Sequence, residues 1–177
     1  PVLRAGADRI DPELLEIFIE EAREEIAAIN RHFPVWAENQ LDEEALITVR
    51  RSFHTLKGSG RMVGAAQMGE YAWSIENLLN RVINKTVESS PGLTRLLGDA
   101  IDVLPQLLEQ LEVGTIPAAN LEVIVESAAV FAGGGVPDAY QFVQPLPGKV
   151  AAAPEESVTA DAPVDENATA EASPLTD

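Results

Sequence analysis

Apolar residues recur every three or four positions in four long stretches of this chain, which is the spacing of one face of an α-helix. Aspartate or serine followed by proline opens the first and fourth stretches, as is typical of a helix cap and first turn. Four such helices joined by short connections pack as an antiparallel up-down bundle, because each has one apolar stripe to bury. The predicted helices cover residues 11–34, 41–64, 67–84 and 90–113.

A shorter fifth helix is predicted over residues 118–132, after which "GGG" and "VPDAY" end the regular pattern. Pro105 lies inside the fourth helix and predicts a kink there, with a break as the alternative. Residues 1–10 and 133–177 are predicted to be linkers. Between Ala151 and Asp177 there are seven acidic residues and no basic residue, and such a segment buries too little apolar surface to offset its ordering entropy. We therefore expect an all-α domain over residues 11–132 and a disordered acidic tail.

The charge of the chain restricts its partners. With 12 basic and 29 acidic residues the formal charge is −17, which argues against nucleic acid or an anionic membrane surface as a partner. The chain has no cysteine, contains no apolar run of membrane-spanning length, and starts without a signal-peptide core. These features favour a cytoplasmic piece of a longer protein.

The segment "RRSFHTLKGSGRMVG", residues 50–64, concentrates cations and glycines around one histidine in this acidic chain. At about 100° per residue, the face of the second helix that contains His54 also includes Arg50, Lys57, Gly58 and Arg61, each within about 60° of it. The apolar positions Val49, Leu56 and Val63 point the opposite way, so His54 is predicted to face solvent.

A solvent-facing imidazole among cations suits a visiting phosphate. An imidazole is largely neutral at pH 7 and has one nitrogen lone pair that can attack phosphorus. Lys57 would stabilise the phosphoryl oxygens, and Gly58 would leave room for them. Weaker assistance is expected from Arg50, Arg51 and Arg61. The alternative is an ordinary surface histidine on a solvated helix face, and the spacing alone leaves both interpretations open.

The string "HTLKGSGRMVG" resembles the signature of histidine phosphotransfer (HPt) domains, H-x-L-K-G-S followed by a glycine. Together with "GEYAWSIENLLNRV" it looks closest to the HPt modules of CheA-like hybrid kinases of the type IV pilus chemosensory system, the ChpA or PilL type. This resemblance implies that His54 is phosphorylated, that Lys57 lies beside the phosphate, and that Gly58 leaves space for the phosphate and the partner. Ser59 also matches, although its helical position assigns it to packing, and Gly64 matches the glycine that ends the helix.

Glu76 is the second residue that the resemblance singles out. It stands at the edge of the third helix's apolar stripe, where a carboxylate is costly without a partner. In CheA-type domains a glutamate in a similar "ENLL" segment hydrogen-bonds the histidine. The resemblance therefore implies that Glu76 holds the Nδ1 proton of His54 and leaves Nε2 to attack, while a cap or a surface ion pair is the alternative. At Trp73 the chain departs from that subgroup, which often has a polar ring there.

The resemblance also implies the partners: receiver domains of response regulators, with Mg²⁺ on the receiver, and a CheA-like kinase domain that holds ATP separately. The domain itself is expected to be monomeric, to hold no metal or cofactor, and to lack ATP-dependent activity alone. Neither H-E-x-x-H nor a P-loop occurs. His32 is predicted to be a cation at the end of the first helix. Two other functions stay open: a docking bundle that binds receivers without transfer, and a purely structural spacer.

Overall fold

A computed structural model of the chain describes residues 10–142, which form five α-helices and a short 3-10 helix and contain no strand. The predicted all-α class is therefore confirmed. No helix in this part of the chain combines the length and apolar character needed to cross a membrane. The α-helices are α1 Pro12–Glu38, α2 Glu43–Val63, α3 Ala66–Ile83, α4 Pro91–Val113 and α5 Leu121–Ala132, and the 3-10 helix is Asp138–Tyr140.

Helices α1 to α4 form a four-helix bundle, in which α1 packs against α2 and α4, and α3 packs against α2 and α4. The connections 39–42 and 64–65 are short, so consecutive helices pack as antiparallel neighbours. Helix α5 packs against α3 and α4. The apolar stripes meet in one buried core that includes Phe18, Phe53, Leu78 and Leu97.

The helix ends follow the local signals in the sequence. The Asp11 side chain accepts a hydrogen bond from the Glu13 amide at 2.9 Å, and the Ser90 hydroxyl accepts one from the Leu93 amide at 3.1 Å. Gly64 and Gly114 end α2 and α4 with φ of 88° and 79°, a left-handed conformation that glycine adopts without strain. These boundaries confirm the sequence predictions.

Helix α1 does not end near Pro34, as predicted, but continues to Glu38. Proline removes one helical hydrogen bond, and the burial of Trp36 in the core offsets that loss. The Trp36 ring centroid lies 6.1 Å from that of Phe33. His32 consequently lies within the helix, where its Nδ1 donates to the Ala28 carbonyl at 2.9 Å. The prediction that His32 lies at the end of the helix is wrong.

Helices α4 and α5 settle one open alternative and correct one predicted boundary. Helix α4 runs through Pro105 without interruption, so the alternative of a break is wrong. Helix α5 begins at Leu121 rather than Ala118, because the Asn120 side chain caps it by accepting from the Val123 amide. The residues before the cap are held instead by Gln106, whose Oε1 accepts from the Ala118 amide at 2.9 Å.

The packed region extends beyond residues 11–132 at both ends. Ile10 is buried, and Tyr140 is buried beside Phe131 with ring centroids 6.2 Å apart. The Tyr140 hydroxyl donates to Asp99 Oδ2 at 3.0 Å, and burial together with that carboxylate raises the pKa of Tyr140 to about 12. The predicted linkers otherwise fall on residues 1–9 and 143–177, outside the described residues, as does the predicted acidic tail.

Replacing Tyr140 by alanine should lower the free energy of unfolding by about 2–4 kcal/mol, because it empties a buried aromatic site and removes the hydrogen bond to Asp99. Urea unfolding measures the change. The matched control is Phe142→Ala, whose ring is 92% exposed and whose loss should leave stability within about 0.5 kcal/mol of the parent. Equal stability of the two variants would show that the segment after α5 does not pack.

Candidate functional site

His54 lies in the middle of α2 and faces outward. Its side chain is 61% exposed, whereas Val49, Phe53 and Leu56 on the other side of the helix are buried. The predicted orientation is confirmed, and it follows from the amphipathic spacing of α2, which turns the apolar residues into the bundle.

Glu76 reaches His54 from α3. Its side chain is only 6% exposed, and its Oε1 lies 2.6 Å from His54 Nδ1. An ionised carboxylate can only accept, so Nδ1 carries the proton and donates it. In the neutral ring, the other nitrogen, Nε2, is then the one that has the lone pair. The contact that the family resemblance implied is present in the structure.

The ammonium group of Lys57 contacts the second oxygen of the Glu76 carboxylate. Its Nζ lies 2.5 Å from Glu76 Oε2, and its side chain is 19% exposed. The contact is an ion pair between the Lys57 ammonium group and the Glu76 carboxylate. One buried carboxylate thus binds the imidazole through one oxygen and the ammonium group through the other. The sequence predicted Lys57 beside the phosphate but did not predict its pairing with Glu76.

The electrostatics of Glu76 follow from these two partners. Burial alone would raise the pKa of the Glu76 carboxyl, but the Lys57 ammonium and the His54 ring outweigh it and lower the pKa below its ordinary value of 4.5. Glu76 is therefore a carboxylate throughout the neutral range, as an acceptor for the Nδ1 proton must be.

Gly58 leaves open space beside His54. A Cβ built at Gly58 would meet no atom within 4 Å, so nothing within the domain requires glycine there. Gly58 is also exposed. The room predicted for a phosphate or a partner is present on this face.

The arginines around His54 have different surroundings. Arg61 pairs with Glu70 of α3, Nη2 to Oε1 at 2.9 Å, an interaction that the sequence analysis missed. Arg51 is exposed and Arg50 is half-buried. The structure therefore places all three arginines on or near the face of His54, with Arg61 already engaged.

The sequence analysis also missed two glycines at the contact between α2 and α3. A Cβ at Gly60 would lie 3.3 Å from the amide nitrogen of Gly69, so the two backbones nearly touch. The signal in the sequence was a glycine inside each helical pattern, because a glycine at such a position often allows close packing of a neighbouring helix. Ser59, assigned to packing, is half-buried. Within residues 10–142 no group of three or more histidine, cysteine or acidic side chains could hold a metal ion.

Comparison with known proteins gives a family match. The model of the Hpt domain matches residues 13–114 of the chain, a range that contains every residue of the candidate site. No solved structure matched the chain.

Three curated relatives are all named chemotaxis protein CheA. The protein of Treponema pallidum is 25% identical over 134 residues, covering 75% of this chain and 16% of the relative. The protein of Listeria monocytogenes is 25% identical over 108 residues, covering 61% and 18%. The protein of Bacillus subtilis is 23% identical over 99 residues, covering 56% and 15%. The chain thus spans less than a fifth of the length of these relatives.

The stability that Glu76 contributes should depend on pH. Because its pKa is lowered in the folded domain, its contribution is present above the ordinary value of 4.5 and is lost as the pH falls through the lower, folded value. Replacing Glu76 by glutamine should cost roughly 1–3 kcal/mol at pH 7, and the cost should shrink as the pH approaches 3. Urea unfolding of both proteins across this range measures it.

The control for that measurement is Glu70→Gln, which breaks an exposed ion pair with Arg61 and should cost less than about 1 kcal/mol at any pH. A Glu76→Gln deficit that stays constant from pH 7 to pH 3 would contradict the ion-pair assignment.

Proposed function

Because the chain belongs to the Hpt domain family of histidine phosphotransfer domains, which act in phosphorelays, we propose that His54 is the residue that carries the phosphoryl group. The main observation that supports this proposal is the 2.6 Å contact between His54 Nδ1 and Glu76 Oε1. It leaves Nε2 unprotonated on a side chain that is 61% exposed. A nucleophile must have both a free lone pair and access to its partner.

The proposed reaction is an in-line displacement at phosphorus. The lone pair of His54 Nε2 attacks the phosphorus of an aspartyl phosphate, the Nε2–P bond forms, and the P–O bond to the aspartate breaks, which releases the carboxylate. Nδ1 keeps its proton throughout, and Glu76 accepts its hydrogen bond as positive charge develops on the ring. The reverse step returns the phosphoryl group to a receiver aspartate. With ATP on a kinase domain, ADP is the leaving group.

Lys57 is proposed to stabilise the negative charge of the transferring group. Its Nζ contacts Glu76 Oε2, the oxygen adjacent to the one that binds His54, so it is already beside the imidazole. An ammonium group on a flexible stem can turn from that carboxylate toward phosphoryl oxygens. Arg50, Arg51 and Arg61 would add weaker, screened attraction.

The proposed partners are the receiver domains of response regulators and a CheA-like kinase domain. The cations near His54 stand out in a chain of formal charge −17, and they suit the acidic phosphorylation site of a receiver. Mg²⁺ would be held by the receiver and ATP by the kinase domain. No cofactor is proposed for this domain, which would act as a monomer and have no ATP-dependent activity alone. An ATP-using partner would place it in the cytoplasm.

We also propose a more specific origin, in a chemosensory histidine kinase of the type IV pilus system. The support is the likeness of "RRSFHTLKGSGRMVGA" and "GEYAWSIENLLNRV" to the ChpA or PilL type, together with CheA relatives whose printed names refer to chemotaxis. The phosphate would then serve a pathway that controls pilus-driven twitching motility.

The test of the proposed function is phosphorylation of the domain by a phosphorylated receiver or by a CheA-like kinase domain with ATP. The wild-type protein should gain acid-labile, base-stable phosphate, and His54→Gln should gain none. His32→Gln is the matched control, because His32 is the chain's other histidine and its ring is held within α1. It should be labelled like the wild type. A folded wild type that binds receivers but takes no label from any donor would favour the docking bundle instead.

A large side chain at Gly58 should hinder docking of a receiver domain more than it hinders phosphorylation of His54 by a small donor. Because no atom lies within 4 Å of a Cβ at this position, Gly58→Leu should fold like the parent. We expect transfer from a phosphorylated receiver to fall by roughly 10-fold or more. Labelling by phosphoramidate, a small donor, should fall much less, because it needs room for the phosphoryl group but not for a partner domain.

Equal losses with both donors would contradict a role of Gly58 in admitting the partner. Thr55→Leu provides the control, because Thr55 is half-buried on the neighbouring part of the same helix and lies about 100° from His54. That variant should transfer from both donors at nearly the parental rate.

A further inference from the structure

The backbones of α2 and α3 approach each other closely at Gly60 and Gly69, where neither residue has a side chain. A Cβ at Gly60 would lie 3.3 Å from the Gly69 nitrogen and 3.5 Å from both the Gly69 Cα and the Ala65 carbonyl oxygen. These are backbone atoms, which cannot rotate away as the end of a side chain can. A Cβ at Gly60 therefore requires the facing backbone to give by a few tenths of an ångström, and a branched side chain there requires a larger displacement.

The contact is tighter from the other side. A Cβ at Gly69 would lie 2.8 Å from Arg61 Cγ, 3.3 Å from the Arg61 nitrogen and 3.4 Å from the Lys57 carbonyl oxygen. The backbone of α3 thus rests on the α2 turn from Lys57 to Arg61. The stem of Arg61 crosses over Gly69, and its guanidinium group then reaches Glu70.

Neither glycine is required by its backbone conformation. The described glycines with positive φ are Gly64, Gly114 and Gly134, whereas Gly60 and Gly69 have ordinary helical surroundings. Glycine inside a helix is less stable than alanine. The close approach of α2 and α3 is the structural feature that accounts for glycine at both positions.

This contact lies close to the reacting group. His54 is six residues before Gly60 in α2, and Glu76 is seven residues after Gly69 in α3. Because the two helices are antiparallel, both residues lie in the same direction from the glycines, at about 10 Å. The glycine contact thus lies on the same pair of helices as the contact between Glu76 Oε1 and His54 Nδ1, which are 2.6 Å apart.

We infer that Gly60 and Gly69 are positioning residues for phosphotransfer: their close contact keeps Glu76 within hydrogen-bonding distance of His54 Nδ1 and so fixes the tautomer with Nε2 free. The inference rests on the proposed function of His54 as phosphoryl carrier. Its structural part, the dependence of the tautomer on the glycine contact, is measurable without any transfer.

The test uses Gly69→Ala and Gly60→Val in the full chain labelled with ¹⁵N. The ¹⁵N chemical shifts of the His54 ring report which nitrogen carries the proton. We expect the wild type to hold the proton on Nδ1, and both variants to lose this preference toward the mixture of tautomers of a free imidazole. Phosphoryl acceptance from a receiver should fall by roughly 10-fold or more in the same variants.

The matched controls are Gly98→Ala and Gly98→Val. Gly98 is inside α4, and a Cβ there would lie 3.8 Å from Phe33 Cε1, an ordinary van der Waals contact, so these substitutions add side-chain atoms to a helical glycine away from the α2–α3 contact. His54 should keep its tautomer in both, whatever the change in melting temperature. His32, held by the Ala28 carbonyl, supplies an internal reference signal that should not change in any variant.

A wild-type His54 tautomer in folded Gly69→Ala and Gly60→Val would overturn the inference, as would an equal loss in the Gly98 variants. If Gly60→Val does not fold, Gly69→Ala decides alone, since alanine favours the helix in which it stands. A wild type that fixes its tautomer but accepts no phosphate would defeat the proposed function, while the ¹⁵N shifts would still decide the role of the glycines.

Discussion

The site depends on one buried carboxylate that is shared by two groups. Removing an isolated carboxylate from water costs several kcal/mol, so Glu76 can remain ionised inside the bundle only because the Lys57 ammonium and the His54 ring both contact it. The same contacts order this face of the domain, since Glu76 accepts the Nδ1 proton of the imidazole and holds the lysine beside it. The interaction that makes the buried charge tolerable is therefore also the one that orients the imidazole, as the proposed phosphotransfer requires.

The bundle supplies the conditions for that interaction. Helix α2 presents His54 to solvent while burying Phe53 and Leu56, and α3 presents Glu76 from the edge of its own buried stripe. The backbones of the two helices approach closely at Gly60 and Gly69, and the role proposed for this contact is to keep Glu76 within reach of His54. The site is built on regular helices rather than loops, so its geometry is maintained by the packing of the entire core.

Much of this architecture could be predicted from local sequence signals. Caps such as Asp11 and Ser90 and terminal glycines such as Gly64 act within one helical turn, so the sequence indicates them directly. The outward orientation of His54 followed from helical periodicity alone. Its pairing with Glu76 could be inferred only through the family resemblance, together with the cost of a carboxylate in an apolar stripe.

The remaining features depend on tertiary packing and were missed for that reason. Helix α1 passes Pro34 because Trp36 is buried in the core, which no local rule for proline anticipates. The segment at Tyr140 packs against α4 and α5, where a Cβ on Gly92 would lie 2.6 Å from the Tyr140 carbonyl oxygen, a contact between residues far apart in sequence. The Lys57–Glu76 and Arg61–Glu70 pairs likewise depend on how α2 and α3 are set against each other.

The most direct measurement is to find which atom of the phosphorylated domain is bonded to phosphorus, by ³¹P–¹⁵N correlation on protein labelled with ¹⁵N-histidine. The account predicts a single bond from phosphorus to Nε2 of His54, with Nδ1 still protonated and hydrogen-bonded to Glu76. Phosphorus bonded to Nδ1 of His54, or to His32 or another residue, would contradict it.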